Sequence, residues 1–229
     1  MRKTAIICAL EREISYYLDV MEDVTTSKTA NLIFHLGKLN GIDIVAVCCG
    51  VCKVNAAIAT QILISEYNAG IVICSGVAGG IDKTLKIGDT VICTKAAYHD
   101  VWENSLTDYH PFMKDDNFHS DKNLLNLCEK AIKSENFNQK IYFGKIVTGE
   151  LFIDKEGREE IIEKHNPLCV DMETSAIAHV CYANSTPFIA VRSISDTEEE
   201  SGLGSFEANC SFAAEMSFNV VNAFLSLLT

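Results

Sequence analysis

Eight short strand-like runs, most of them apolar on both faces and spaced by segments with helical periodicity, constrain this chain more than any other feature. Residues 4–10, 42–49, 71–76 and 90–97 are dominated by Val, Ile, Ala and Cys, and residues 31–39, 140–148, 168–172 and 187–195 read as four further strands. A strand that is apolar throughout is buried on both faces, which is the situation of a parallel sheet covered by helices. Helical spacing falls between these runs, over 11–21, 53–67, 121–134, 155–165, 173–184 and 206–228. Val54, Ala57, Ile58, Ile62 and Leu63, for example, recur at three- and four-residue intervals. Asn40-Gly41 between two apolar runs is a strong hairpin signal, so one pairing is antiparallel. The expectation is a single three-layer α/β domain over 1–229, with a mixed, mostly parallel central sheet flanked by helices.

Two segments break the rhythm. Gly76-Val77-Ala78-Gly79-Gly80 reads as a turn that follows the 71–76 strand and lets backbone approach a ligand. It lacks both the GxGxxG spacing and a GK[ST] phosphate signature. From His99 to Ser120 periodicity disappears, with Trp102, Tyr109 and Phe112 among polar residues, and this predicts a long loop that is either functional or disordered.

In open α/β sheets ligands bind beyond the carboxyl ends of the strands. Three acids sit at or just past such ends: Glu13, Glu173 and Asp196. Each has an ordinary structural reading. A carboxylate at a helix start is favoured by the dipole, which covers Glu173, and Ser195-Asp196 resembles a cap or turn. Their common location nonetheless suits glycoside cleavage, in which one acid protonates the leaving group while another activates water. A model aspartate has a pKa of about 3.9, so donating a proton near pH 7 needs a rise of about three pH units, roughly 4 kcal/mol. Burial and neighbouring negative charge can supply that.

Composition removes several classes. A formal net charge of −12 opposes a nucleic-acid binder, which needs a cationic face. Arginine is limited to Arg2, Arg12, Arg158 and Arg192, too few for an evident phosphate-binding cluster. Arg192, inside an apolar strand, is expected to pair with a buried acid. The ten cysteines are scattered through apolar runs as buried, reduced thiols, and the lone Cys49/Cys52 pair is weak support for zinc. No metal and no cofactor are expected. The apolar run after Met1-Arg2-Lys3 is too short for a signal peptide and no stretch reaches membrane-span length, so the reading is a cytoplasmic protein without a membrane partner.

The ordered motifs add a resemblance. Residues 9–13 (Ala-Leu-Glu-Arg-Glu), 50–57 (Gly-Val-Cys-Lys-Val-Asn-Ala-Ala), 75–80 (Ser-Gly-Val-Ala-Gly-Gly), 98–100 (Tyr-His-Asp), 148–153 (Thr-Gly-Glu-Leu-Phe-Ile), 170–173 (Val-Asp-Met-Glu) and 192–196 (Arg-Ser-Ile-Ser-Asp) run over almost the whole chain. Together they resemble the 5′-methylthioadenosine/S-adenosylhomocysteine nucleosidases of the nucleoside phosphorylase superfamily. The resemblance implies that Asp196 donates a proton to adenine N7, oriented by Ser195, and that Glu13, assisted by Arg192, activates water. It implies that Glu173 binds the ribose hydroxyls above Met172, that Phe152 stacks on adenine, and that the Ile153 backbone reads the base edge. Leu10, Val51, Val77, Ala78, Gly79 and Phe206 would complete the substrate pocket. It further implies a homodimer whose neighbouring 101–113 loop closes the 5′ side, acting on a small nucleoside. Three positions depart from the family pattern: Asp171 in place of glutamate, Val77 in place of a frequent serine, and Glu103 in place of an apolar pocket residue. A phosphate-dependent phosphorylase and a non-catalytic nucleoside-binding protein are the competing readings.

Overall fold

The computed structural model describes residues 2–110 and 112–228; Met1, Pro111 and Thr229, which fall within the expected domain and the 101–113 loop, lie outside them. The chain opens with β1 (Lys3–Cys8), α1 (Glu11–Leu18), β2 (Glu22–Thr29), β3 (Leu32–Leu39) and β4 (Ile42–Cys48). It continues through α2 (Lys53–Ser65), β5 (Ala69–Gly80), β6 (Thr90–Tyr98), α3 (Ser105–Tyr109), β7 (Phe118–His119) and α4 (Lys122–Ser134). The last part comprises β8 (Ile141–Thr148), α5 (Arg158–His165), β9 (Cys169–Asp171), α6 (Thr174–Ala183), β10 (Phe188–Asp196) and α7 (Gly202–Leu225). No helix of the described residues is long and apolar enough to cross a membrane.

All ten strands join one mixed sheet. Parallel pairings link β4, β1, β5 and β10 in turn, and also β6 with β8 and β8 with β9. Antiparallel pairings join β2 to β3, β3 to β4, β5 to β9, β6 to β7 and β10 to β6. Because β5 pairs with both β9 and β10, the strands β5, β10, β6, β8 and β9 form a closed circuit, and β1 to β4 extend from it as a wing.

The two-sided apolar strands produce three layers by simple alternation. Ala5, Ile7, Val45 and Val47 face one core with Ala56, Ala59 and Leu63 of α2 and Ala176, Ile177 and Cys181 of α6. The intervening Ile6, Cys8, Ile44 and Ala46 face the other, against Ile14 and Tyr17 of α1, Leu124 and Cys128 of α4, and Val220, Val221 and Phe224 of α7. Period-two alternation sends neighbours to opposite faces, and each fully buried Ile or Phe contributes about 1.5–3 kcal/mol.

Two sequence expectations need correction, and one strand is additional to them. The Gly76–Gly80 segment is no turn; β5 continues through it, with Gly76 to Gly79 paired along β10. Its glycines serve close side-chain approach, not reversal of the chain. The 99–120 region is not wholly irregular, since α3 and the short β7 form within it. Strand β2 (EDVTTSKT) was not anticipated at all: it is almost entirely exposed, carries no apolar face, and is held by its ladder to β3.

Candidate active site

A cavity of about 340 Å³ opens at the carboxyl ends of β1, β5, β9 and β10. Leu10, Glu13, Val51, Val77, Ala78, Gly79, Phe152, Ile153, Met172, Glu173, Ser195, Asp196 and Phe206 all line it. Segments as distant in sequence as 10 and 206 thus converge. Arg192 stands immediately behind, buried under the acids and outside the lining.

Glu13 is placed by the first turn of α1. Its carboxylate accepts hydrogen bonds from the backbone N–H groups of Ala9 at 2.8 Å, Leu10 at 2.9 Å and Val77 at 2.8 Å. A carboxylate has about four lone-pair sites, so roughly one acceptor position is left for the cavity. Burial pushes its pKa above the ordinary carboxylate range, against the lowering effect of Arg192 and the three N–H groups. The approach requires Gly76: a Cβ there would collide with the Glu13 carboxylate and lie 2.7 Å from Arg192 Nη1.

Glu173 occupies the N-cap position of α6, yet its side chain makes no capping bond. Asp171 does that work instead. Its carboxylate accepts from the backbone N–H of Thr174 at 3.2 Å and of Glu173 at 3.3 Å, and from the hydroxyls of Thr148 and Thr174. Glu173 is thereby free to turn toward the cavity, where the Cys52 N–H donates to it at 3.0 Å and Arg192 at 3.2 Å. Cys52 reaches this position with φ of 85°, in a region costly for a non-glycine residue and typical of functional sites. Burial pushes Glu173 up to about 7, partly opposed by Arg192.

Asp196 ends β10 and is likewise no cap; the N-cap position of α7 falls at Ser201. Its Oδ1 accepts a hydrogen bond from Ser195 Oγ at 2.8 Å, while Oδ2 is buried without a protein partner. Burial raises its pKa, offset by Ser195 and by Arg158. Asp196 thus lines the cavity with one carboxyl oxygen held by Ser195 and the other buried and unbonded.

The aromatic side is looser. Phe152 and Phe206 meet edge to face with centroids 5.9 Å apart, and Arg12 lies 5.8 Å from the Phe206 ring centre. Behind the site, Lys53 binds Asp100 at 2.9 Å, and Asp100 in turn accepts from the Glu150 N–H at 2.9 Å. These contacts explain why Lys53, Asp100 and Glu150 belong to the motifs without entering the cavity.

Several lining residues escaped the sequence reading. Leu203 precedes Phe206 by one helical turn and Leu151 adjoins Phe152, so spacing could have flagged both. Asp171 was visible only as a motif departure. Arg12 and Glu207, paired at 2.7 Å, lie too far apart in the chain for any local signal. All ten cysteines are free, eight of them buried, and burial raises the pKa of both Cys49 and Cys52, which works against thiolate chemistry there.

The sequence profile of the phosphorylase superfamily matches residues 3–226. A 5′-methylthioadenosine/S-adenosylhomocysteine nucleosidase of Staphylococcus haemolyticus is 35% identical over 97% of this chain and 99% of its own. The chain belongs to the 5′-methylthioadenosine/S-adenosylhomocysteine nucleosidase family of that superfamily. The nucleosidase fold is equally close in solved relatives. The Neisseria meningitidis nucleosidase, in complex with methylthio-immucillin-A, superposes with a TM-score of 0.92 at 33% identity, covering 100% of both chains. The Colwellia psychrerythraea nucleosidase, in complex with adenine, gives 0.91 at 33% identity, covering 99% of this chain and 96% of its own.

Proposed function

We propose that this nucleosidase-family chain hydrolyses the N-glycosidic bond of 5′-methylthioadenosine and S-adenosylhomocysteine, releasing adenine and the 5′-substituted ribose. One observation carries the reading: Glu13, Glu173 and Asp196 surround a single nucleoside-sized cavity, and burial raises the pKa of all three. The analogue bound by the Neisseria relative and the adenine bound by the Colwellia relative support the substrate class.

In this reading Phe152 stacks on adenine and the Ile153 backbone meets its edge. Asp196, oriented by Ser195, gives its proton to N7 as the glycosidic bond breaks. Glu173 binds the ribose hydroxyls above Met172 and balances the positive charge growing on the sugar. Water on the open acceptor site of Glu13 attacks the anomeric carbon, with Arg192 holding the carboxylate. Leu10, Val51, Val77, Ala78, Gly79 and Phe206 form the apolar walls. The reaction calls for no metal or cofactor.

The same reading makes the chain one domain and a cytoplasmic homodimer. Exposed Val54 and Ile58 on α2, with Trp102, Tyr109 and Phe112 beyond β6, offer apolar surface for a second copy. The partner's 101–113 loop would then close the 5′ side. Free buried thiols fit a reducing compartment.

Phosphate as the nucleophile is disfavoured. Arg12 is the cation among the described lining residues and is already paired with Glu207, while Glu13 would repel an anion. Incubation with 5′-methylthioadenosine in the presence and absence of inorganic phosphate tests the proposal. Adenine and methylthioribose released without phosphate support it; strict phosphate dependence, or binding with no release, overturns it. A panel of 5′-substituted adenosines scored by adenine release then ranks the substrates.

A further inference from the structure

Arg158 is in an unfavourable place for a cation. It opens α5, at the positive end of the helix dipole, and it is buried. Such a conflict between local preference and observed position is expected where function demands it. Two backbone acceptors fix the side chain: Nε donates to the carbonyl of Asp154 at 2.5 Å and Nη1 to the carbonyl of Gly80 at 2.7 Å. Nη2 is buried with no protein partner.

The second contact leads to Asp196. Gly79 pairs with Asp196 across β5 and β10, and a Cβ on Gly79 would lie 3.1 Å from Asp196 Oδ2. That Oδ2 is likewise buried and without a protein partner. A guanidinium and a carboxyl, each with one unsatisfied polar atom, therefore flank the same Gly79–Gly80 backbone. The first contact leads to the base side, since Asp154 follows Phe152 and Ile153 directly.

We propose that Arg158 is a positioning residue for the reaction: it ties the Phe152–Asp154 segment to the end of β5 and supplies a fixed cation beside Asp196. This rests on the reading of Asp196 as proton donor. Burial makes Asp196 a weaker acid, and a donor that is too weak releases its proton reluctantly. The Arg158 charge acts in the opposite sense, as does the hydrogen bond from Ser195, whereas Asp154 reinforces burial. Glu198 and Asp154 are the other charges that Arg158 feels, and both favour its protonated form. The cation thus opposes the effect of burial on the Asp196 carboxyl.

The test is the pH profile of adenine release by Arg158→Gln, Arg158→Met and Arg158→Lys, with thermal unfolding to confirm folding and Asp196→Asn as the control. Loss of the charge raises the pKa of Asp196, so the alkaline limb of kcat moves up by about one pH unit in Arg158→Gln or Arg158→Met. Arg158→Lys keeps the charge but not the fork, so its limb stays at the wild-type pH while KM rises several-fold as the base-side segment loosens. A limb that does not move in a folded charge-free variant overturns the inference, as does a limb in Arg158→Lys displaced as far as in Arg158→Gln. Should neither charge-free variant fold, Arg158→Lys decides: an unmoved limb with raised KM supports the role, and any other result overturns it. Full turnover by Asp196→Asn would instead remove the reading of the donor itself.

Discussion

Arg192 Nη2 lies 2.9 Å from Asp171 Oδ2, and both side chains are buried. The same guanidinium sits 3.2 Å from Glu173 and 4.0 Å from Glu13, so one cation serves three acids. Removing one partner from such a set leaves buried charge uncompensated, which costs about 3–5 kcal/mol. Arg192→Met is expected to lose stability on that scale in urea unfolding, together with its activity. Arg192→Lys retains a charge but cannot span the acids, so it recovers stability only in part. A change below about 1 kcal/mol in Arg192→Met would contradict the shared-cation arrangement.

Asp196→Asn keeps the shape of the side chain and removes the proton that the proposed mechanism transfers. The expected result is a fall in kcat of about 10²–10⁴-fold with nucleoside binding retained, since general acid catalysis contributes on that order. Adenine release and equilibrium binding of a methylthioadenosine analogue separate the two effects. Wild-type turnover in this variant would dismiss Asp196 as the donor.

Gly76→Ala tests the close approach of Glu13. The new methyl would overlap the Glu13 carboxylate and the Arg192 guanidinium, both of them buried. Overpacking of this kind costs about 1–3 kcal/mol, and displacement of the carboxylate proposed to hold the water should suppress kcat more than KM. An active, stable Gly76→Ala would show that Glu13 can work from elsewhere.

The Glu173 carboxyl gives stability a pH dependence. Its pKa in the folded protein is raised by burial to about 7 from an ordinary value of 4.5, so the folded state holds the proton more tightly than the unfolded chain. That contribution is complete below the ordinary value and is lost as pH rises through the raised one, with a slope of at most about 1.4 kcal/mol per pH unit. Glu13 and Asp196 act in the same sense. Urea unfolding at pH 5 and pH 7.5 should therefore show wild type losing more stability than Glu173→Gln; the reverse ordering would refute the assignment.

Much of the site was legible because side-chain direction follows from periodicity. Runs apolar on both faces announce a covered sheet, and a covered sheet directs attention to strand ends, where Glu13, Glu173 and Asp196 were found. What local pattern could not convey was pairing between distant segments. The run Gly76–Gly80 looks like a turn because its glycines stand together; only the Glu13 and Asp196 side chains packed against them show why glycine is needed within a strand. Glu173 looked like a cap because it precedes a helix, and the shorter Asp171 two residues earlier takes that duty through Thr148, a contact made across β8 and β9. Strand β2 has no apolar signature, since its stability comes from the ladder to β3 and not from burial.

The closed circuit of β5, β10, β6, β8 and β9 divides the binding pocket into two mechanical halves. Val77 to Gly79, Asp171 and Asp196 belong to strands braced from both directions, so bond-breaking distances on that rim resist distortion. Leu151, Phe152, Leu203 and Phe206 hang from a loop and a helix outside the ring. Substitutions there can reshape what the pocket accepts while the strand-borne groups proposed to act on the glycosidic bond stay in register, so substrate range and chemistry can diverge independently in this scaffold.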